Sequence, residues 1–411
     1  MFPQSFLSGY SFVVAESEHL VHGLQGELTN ATWAPISPSD ILDLVSRPAN
    51  QPGFLQQETV SSTGIPTTGI SVIWQSPRPM SSAAVIQIGN HKIFVKRHHI
   101  DVRNSSDLRR EHKFINYLRD NSIKVPFVYS DENNETVFAK AEFLYEFCDV
   151  FAGIDLYRER ISWSRYICPE HAYHAGEALA RLHMISEGFD GSPKVFGPLC
   201  NSVEIITAEN PLTMLKSILT ARPGLAISVR EAMLSIDIFF DRFSSLHLPF
   251  IEKVLSYASL MRPIYTHGDW HPSNMSWTGN GKDADVEYVF DFGLSNKTFL
   301  HHDIAVAIER SCIDWLGLYD EVWDPDSLIA FLRGYHSVKN LSEADLGFIA
   351  DTLPVCHFEY ALSEVEYFGA VLAQPDNAAL ACEAYLFGHA EFFLTPEGMA
   401  IQKTIRNLNN L

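Results

Sequence analysis

Between Asn274 and Phe292 the chain reads NMSWT, a turn at GNGKD, and VEYVFDF. This stretch limits the fold more than any other. It has the pattern of a short β-hairpin with Val286, Tyr288 and Phe290 on one face. Just ahead of it, HGDWHPSN sets Asp269 and Asn274 five residues apart in a tight loop held by Pro272. At the far end Asp291 closes an apolar alternating run. Gly293 behind it is expected to let the backbone turn away, so that the carboxylate projects past the strand end.

The rest of the chain divides by texture. Residues 1–66 are rich in Pro, Ser, Thr and Gly and read as an extension packed on a larger body, with one short helix capped by Ser37 and started by Pro38. From Ile70 to Lys96, SVIW, SPRPMSS, AAVIQI, GNHK and IFVK alternate strand and turn signals, which predicts a small antiparallel sheet. An amphipathic helix opening at Ser106-Asp107 follows, with Leu108, Phe114, Ile115 and Leu118 at helical spacing, and then two strand signals near VPFVYS and ETVFAKAEFLYEF. Beyond Cys148 the chain is mostly helical. PEHAYHAGEALARLHMIS is one long helix, Asp324-Pro325 starts another, and Ser342 with Asp345 has capping-box spacing. The expected units are the extension (1–66), a small β-rich lobe (67–147) and a large helical lobe (148–411).

At 411 residues the chain suits a bilobal enzyme. It carries no basic and apolar leader pattern and no long apolar run, so the expectation is a cytoplasmic protein without membrane spans. Six scattered cysteines lack CxxC spacing and read as reduced, buried thiols. Cys168, His171 and His174 do not make a zinc site by pattern, because no fourth ligand is near and the histidines fall on a helix flank. A formal charge of −20 argues against nucleic-acid binding. Seven Lys/Arg against three Asp/Glu between Lys92 and Lys113, and four against nineteen between Asp285 and Glu391, place a cationic segment early and an acidic one late.

Phosphoryl transfer asks a protein for a positioned hydroxyl, a divalent metal across the phosphates and cations against the spreading charge. Asp269 is the candidate catalytic residue, able to accept the hydrogen bond or proton of an attacking hydroxyl. Asn274 and Asp291 are candidate oxygen ligands for Mg²⁺. Lys96 ends the strand IFVK as a candidate phosphate cation, and Glu111 on the next helix is expected to pair with it and fix its direction. Ser81 and Ser82, in a turn without glycines, could hold phosphate through hydroxyls and amides. His267 and His271 read as loop-organising groups, His183 as a core histidine, and Asp303 as a helix cap or a partner of the loop. Taken singly, each is an ordinary turn or surface residue. The combination is what specifies the chemistry.

HGDWHPSN with FDFG resembles the catalytic and metal loops of the aminoglycoside phosphotransferase/choline kinase-like family, and AGEALARLH and HHDIAVA resemble the helices that flank them. The resemblance covers roughly residues 70–395. It implies an α+β, protein-kinase-like bilobal fold, with ATP (GTP not excluded) and Mg²⁺ bound between the lobes and an adenine-binding hinge near Phe143 to Cys148. It also implies transfer of the γ-phosphoryl group to a hydroxyl. The turn SPRPMSS departs from the glycine-rich loop of protein kinases, and GNGKD lacks the spacing of a Walker loop. Eleven residues separate Asp291 from Asp303, too few for a long activation segment, which favours a small-molecule acceptor over an atypical protein-kinase role. A non-catalytic nucleotide-binding module of the same fold is the rival of another class. Glu359 and Glu366, with Glu364, fall near one helix face and suggest an acceptor bearing an amine: an amino alcohol, a hydroxy amino acid or an aminoglycoside-like sugar.

Overall fold

A computed structural model describes residues 32–45, 69–76, 82–160 and 162–408. Ser81 and most of the extension lie outside the described residues. Strands β1 (Ile70–Gln75), β2 (Ser82–Ile88), β3 (His91–His99), β4 (Phe138–Lys140) and β5 (Phe143–Asp149) form an antiparallel sheet in the order β1-β2-β3-β5-β4. Register sets Lys96 opposite both Ala83 and Glu146. Because side chains alternate across a strand, Ala83, Val85, Phe94, Lys96 and Glu146 share one face, while Ala84, Ile86, Val95 and Phe147 share the other. Helix α1 (Pro38–Val45) covers that second face with Ile41, Leu44 and Val45, all fully buried. Each such side chain contributes about 1.5–3 kcal/mol relative to exposure.

Helix α2 (Ser105–Asp120) follows β3 and lies on the Lys96 and Glu146 side of the sheet, where His112 bonds Glu146 and Glu111 and Ile115 border the interlobe cavity. Its cap is Asn104, whose side chain accepts from the Asp107 amide, so the helix starts at Ser105, one position ahead of the expected Ser106-Asp107 opening. After β5 the chain enters the helical lobe. Helix α3 (Pro169–Ser186) is followed by α4 (Pro211–Ala221), α5 (Pro223–Ala232), α6 (Ile236–Arg242) and α7 (Leu248–Leu255), then by strand β6 (Pro263–Thr266). The hairpin strands are β7 (Met275–Trp277) and β8 (Val286–Val289), and β9 (Asn296–Phe299) pairs with β6. Helices α8 (Leu300–Cys312), α9 (Pro325–Val338), α10 (Glu343–Thr352) and α11 (Phe358–Glu366) complete the core, with three more, α12 (Pro375–Leu380), α13 (His389–Phe392) and α14 (Pro396–Arg406), outside them. Asp324 caps α9, and Ser342 with Asp345 forms a complete capping box on α10. Short π-helical turns interrupt this lobe at 243–247, 367–371 and 381–388. All six cysteines are buried and unpaired, and no helix among the described residues is long and apolar enough to cross a membrane.

Candidate active site

The HGDWHPSN loop leaves β6 and enters β7 through a single 3₁₀ turn, Pro272–Asn274. Its conformation is imposed from α8. Asp303 is fully buried, accepts the His267 and Gly268 amides at 3.0 and 2.8 Å, and is itself held by His183 Nε2 at 3.0 Å. Burial raises the Asp303 carboxyl, but the His183 bond and the loop amides outweigh it and leave the group lowered. Tyr335 donates to the other ring nitrogen of His183, so α3, α8 and α9 are joined beneath the loop. Gly268 has φ +78°, and a Cβ there would lie 2.4 Å from the Leu294 carbonyl, so only glycine fits. His267 Nδ1 accepts the Asp269 amide, which leaves Nε2 to donate to the Phe290 carbonyl and tie this loop to the DFG turn.

Asp269 Oδ2 accepts from Asn274 Nδ2 at 3.0 Å. Oδ1 lies 2.9 Å from Arg310 Nη1 and 3.5 Å from His271 Nε2, in ion-pair range but without an aligned hydrogen bond. Burial pushes this carboxyl upward, yet the Arg310 guanidinium, with His271, holds it well below the usual carboxylate range. Both Asn274 amide hydrogens point back to Asp269, and the buried Asn274 Oδ1 has no hydrogen-bond partner. Asp291 takes the sharp turn itself, at φ +62° and ψ 65°. The sequence assigned that turn to Gly293. Gly293 instead sits in a crowded spot, since a Cβ there would lie 3.0 Å from Arg103 Nη2 and 3.3 Å from Asp291 Oδ1.

Lys96 Nζ binds Asp291 Oδ1 at 2.7 Å. Burial lowers the Lys96 ammonium, but Asp291 and Glu146 overcome that and raise it. The expected Lys96–Glu111 pair is not formed. Glu111 Oε1 instead takes Arg103 Nη1 at 2.6 Å and Lys194 Nζ at 2.5 Å, and both cations also donate to the Gly293 carbonyl. The carboxylate beside Lys96 is Glu146, held by His98 at 2.8 Å and His112 at 2.6 Å. A charged residue inside the apolar run FLYEFC was the available signal for it. Ser82 is also corrected: it faces the side of β2 away from Ala83 and Val85, and its buried hydroxyl is not turned to the site.

Lys96, Glu146, Asn274 and Asp291 border a cavity of about 550 Å³ between the sheet and the helical lobe, walled by Val85, Phe94 and the stacked rings of Phe151 and Phe290. The backbone of 143–148 is engaged in sheet pairing with β3. The segment that borders the cavity on leaving β5 is Cys148 to Phe151, slightly beyond the hinge expected from the sequence.

Two of the three expected acceptor carboxylates are committed elsewhere. Glu359 is buried and accepts the amides of Glu204, Ile205 and Ile206 at 2.9, 2.6 and 3.1 Å. Glu366 holds Arg222 Nε with both oxygens. Both are paired within the protein, on different partners, and so form no repelling cluster. Glu364 differs, being buried with Oε2 unpartnered, hydrogen-bonded to Tyr360 and within electrostatic reach of Arg310 and Asp269. Burial pushes it up to about 7. Arg310 Cζ lies over the rings of Trp163 and Tyr360, 5.1 and 5.2 Å from their centroids. Its position in HHDIAVAIER offered no sequence signal for this role.

A small antiparallel lobe, a large helical lobe and an interlobe cavity bordered by a lysine, the DFG turn and the HGDWHPSN loop define a protein-kinase-like phosphotransferase fold. The chain belongs to the phosphotransferase enzyme family, whose model matches residues 81–344, more than half of its length. It is 26% identical over 176 residues to a homoserine kinase of Gluconobacter oxydans (strain 621H), a match covering 41% of this chain and 45% of that protein, so it spans less than half of the relative's length. Among solved structures, a GDP and kanamycin complex of APH(2")-IIia superposes with a TM-score of 0.50 at 12% identity, over 86% of this chain and 98% of the other. A microcompartment-associated aminopropanol kinase gives 0.49 at 15%, over 82% and 97%.

Proposed function

We propose that this protein is an ATP- and Mg²⁺-dependent kinase that transfers the γ-phosphoryl group to a hydroxyl of a small molecule bearing an amine. The observation that carries the reading is the convergence of Asn274, Asp291 and Lys96 at one edge of the interlobe cavity, with Asp269 hydrogen-bonded to Asn274 just behind it. In this reading Asp269 fixes the acceptor hydroxyl. As that oxygen bonds to the γ-phosphorus, the bond to the β–γ bridging oxygen breaks, ADP leaves with the electron pair, and the hydroxyl proton passes to the Asp269 carboxylate. A carboxylate held so low is a weak base, which suits a loose transition state in which the proton leaves late.

Asn274 and Asp291 offer only oxygen donors, and the unpartnered Asn274 Oδ1 is the kind of buried atom that a hard cation would satisfy. Mg²⁺ held by Asn274 and Asp291 would neutralise phosphate charge as it develops. Lys96, now on Asp291, is within the same cluster and adds a cation for phosphate oxygens. Glu364 supports the amine, as does the homoserine kinase likeness.

The test is to incubate the purified chain with ATP, Mg²⁺ and a library of small alcohols and to detect phosphomonoesters by mass spectrometry. An amine-bearing product supports the proposal. ATP and Mg²⁺ binding without phosphorylation of any acceptor, protein or small, would instead favour a non-catalytic nucleotide-binding module.

A further inference from the structure

Three buried polar atoms around the Asp269 carboxylate have no hydrogen-bond partner: Asp269 Oδ1, Arg310 Nε and Glu364 Oε2. Buried polar atoms in native proteins are nearly always paired, so these three, on side chains that are ion-paired or electrostatically coupled to one another, mark a place where a polar ligand completes the structure. Two are acceptors and one is a donor. Arg310 packs over the rings of Trp163 and Tyr360, whose faces offer it cation–π contact but no hydrogen-bond acceptor. Among the described residues its one ion pair is with Asp269. Glu364 is fixed through Tyr360, the same ring that covers Arg310.

Resting on the kinase reading, we infer that the acceptor is a zwitterion, a hydroxy amino acid whose carboxylate is bound by Arg310 and whose ammonium is bound by Glu364, with its hydroxyl on Asp269. A plain amino alcohol would bring its ammonium beside Arg310 with Asp269 alone to offset that cation. A plain hydroxy acid would bring its carboxylate against Glu364 and Asp269. Only an acceptor with both charges pairs each side chain with its opposite, and like-charge contacts then exclude the two singly charged relatives.

Three probes of one carbon skeleton test this: L-homoserine, 3-amino-1-propanol, which lacks only the carboxylate, and 4-hydroxybutanoate, which lacks only the ammonium. L-serine, L-threonine and 5-hydroxylysine, each with its decarboxylated partner, extend the set to other lengths. At least one amino acid is expected to exceed its singly charged partners in kcat/KM by about 10- to 100-fold, the worth of one charge-assisted contact. Arg310→Gln should reduce the preference over the amino alcohol to within about threefold, and Glu364→Gln the preference over the hydroxy acid. Because each preference is a ratio within one variant, any general effect of Arg310 on Asp269 cancels. Arg310→Lys, which keeps the ion pair but not the planar fork, should lose part of the preference and guards against a Gln variant that does not fold. A best acceptor that is not a hydroxy amino acid, or preferences untouched by these variants, overturns the inference while the kinase reading stands. No Mg²⁺-nucleotide binding and no phosphorylated product from any acceptor would overturn both.

Discussion

Glu111 is expected to secure the DFG turn from behind through two cations, and its neutralisation tests that arrangement. Its side chain is 4% exposed and shares one oxygen between Arg103 and Lys194, which are 12% and 3% exposed. Glu111→Gln keeps the shape but leaves two nearly buried cations facing each other, and breaking a buried pair in this way costs about 3–5 kcal/mol. With an unfolding entropy of about 2.1 cal/mol/K per residue over a chain of this length, and lobes that unfold together, that is a fall of roughly 4–6 °C in Tm. The affinity for Mg²⁺-nucleotide should weaken too, since the Gly293 carbonyl loses its organised donors while Lys96 stays on Asp291. Thermal unfolding followed by circular dichroism reads the first effect and nucleotide titration the second. In a Lys194→Met background Glu111 faces Arg103 alone, so the same change should cost at least about 1 kcal/mol less. A Tm within about 1 °C of the parent, or losses additive within about 0.5 kcal/mol, would refute the shared-carboxylate argument.

Gly268→Ala should destabilise by at least about 2 kcal/mol, since it combines a left-handed backbone with a collision at the Leu294 carbonyl; urea unfolding measures it. Asp303→Asn should weaken both folding and turnover, and its stability deficit should shrink in acid. Folding lowers the Asp303 carboxyl, so its contribution is complete above the unfolded value of about 4 and is lost as pH falls through the lower folded value. A deficit that stays constant from pH 7 down to pH 3 would argue against this. Asp291→Ala should weaken Mg²⁺-nucleotide binding by at least about tenfold, with a higher Mg²⁺ requirement in isothermal titration; unchanged affinity would remove Asp291 from the metal site.

What was legible in the sequence came from local rules. The hairpin after HGDWHPSN brings Asn274 and Asp291 together because the two ends of paired strands must meet, as the Met275–Val289 register shows. The caps at Asp324 and Ser342 and the core place of His183 follow from short-range patterns. What was not legible depends on which of several like charges arrives from a distant segment. Glu111 has a helix position readable from periodicity, but Lys194, 83 residues away on an irregular stretch, decides its partner. Glu359 looked like a ligand carboxylate until the amides of 204–206 claimed it. Gly293 was read for backbone freedom, whereas it sits in side-chain crowding that only three-dimensional packing reveals.

The most direct test of the account measures ATP- and Mg²⁺-dependent formation of an acceptor phosphomonoester by the parent chain and by Asp269→Asn, with nucleotide affinity recorded for both. The account predicts a product from the parent, and in the variant a turnover lower by about 10²–10⁴-fold at nearly unchanged nucleotide affinity. An Asp269→Asn variant that phosphorylates the same acceptor at the parent's rate would contradict it.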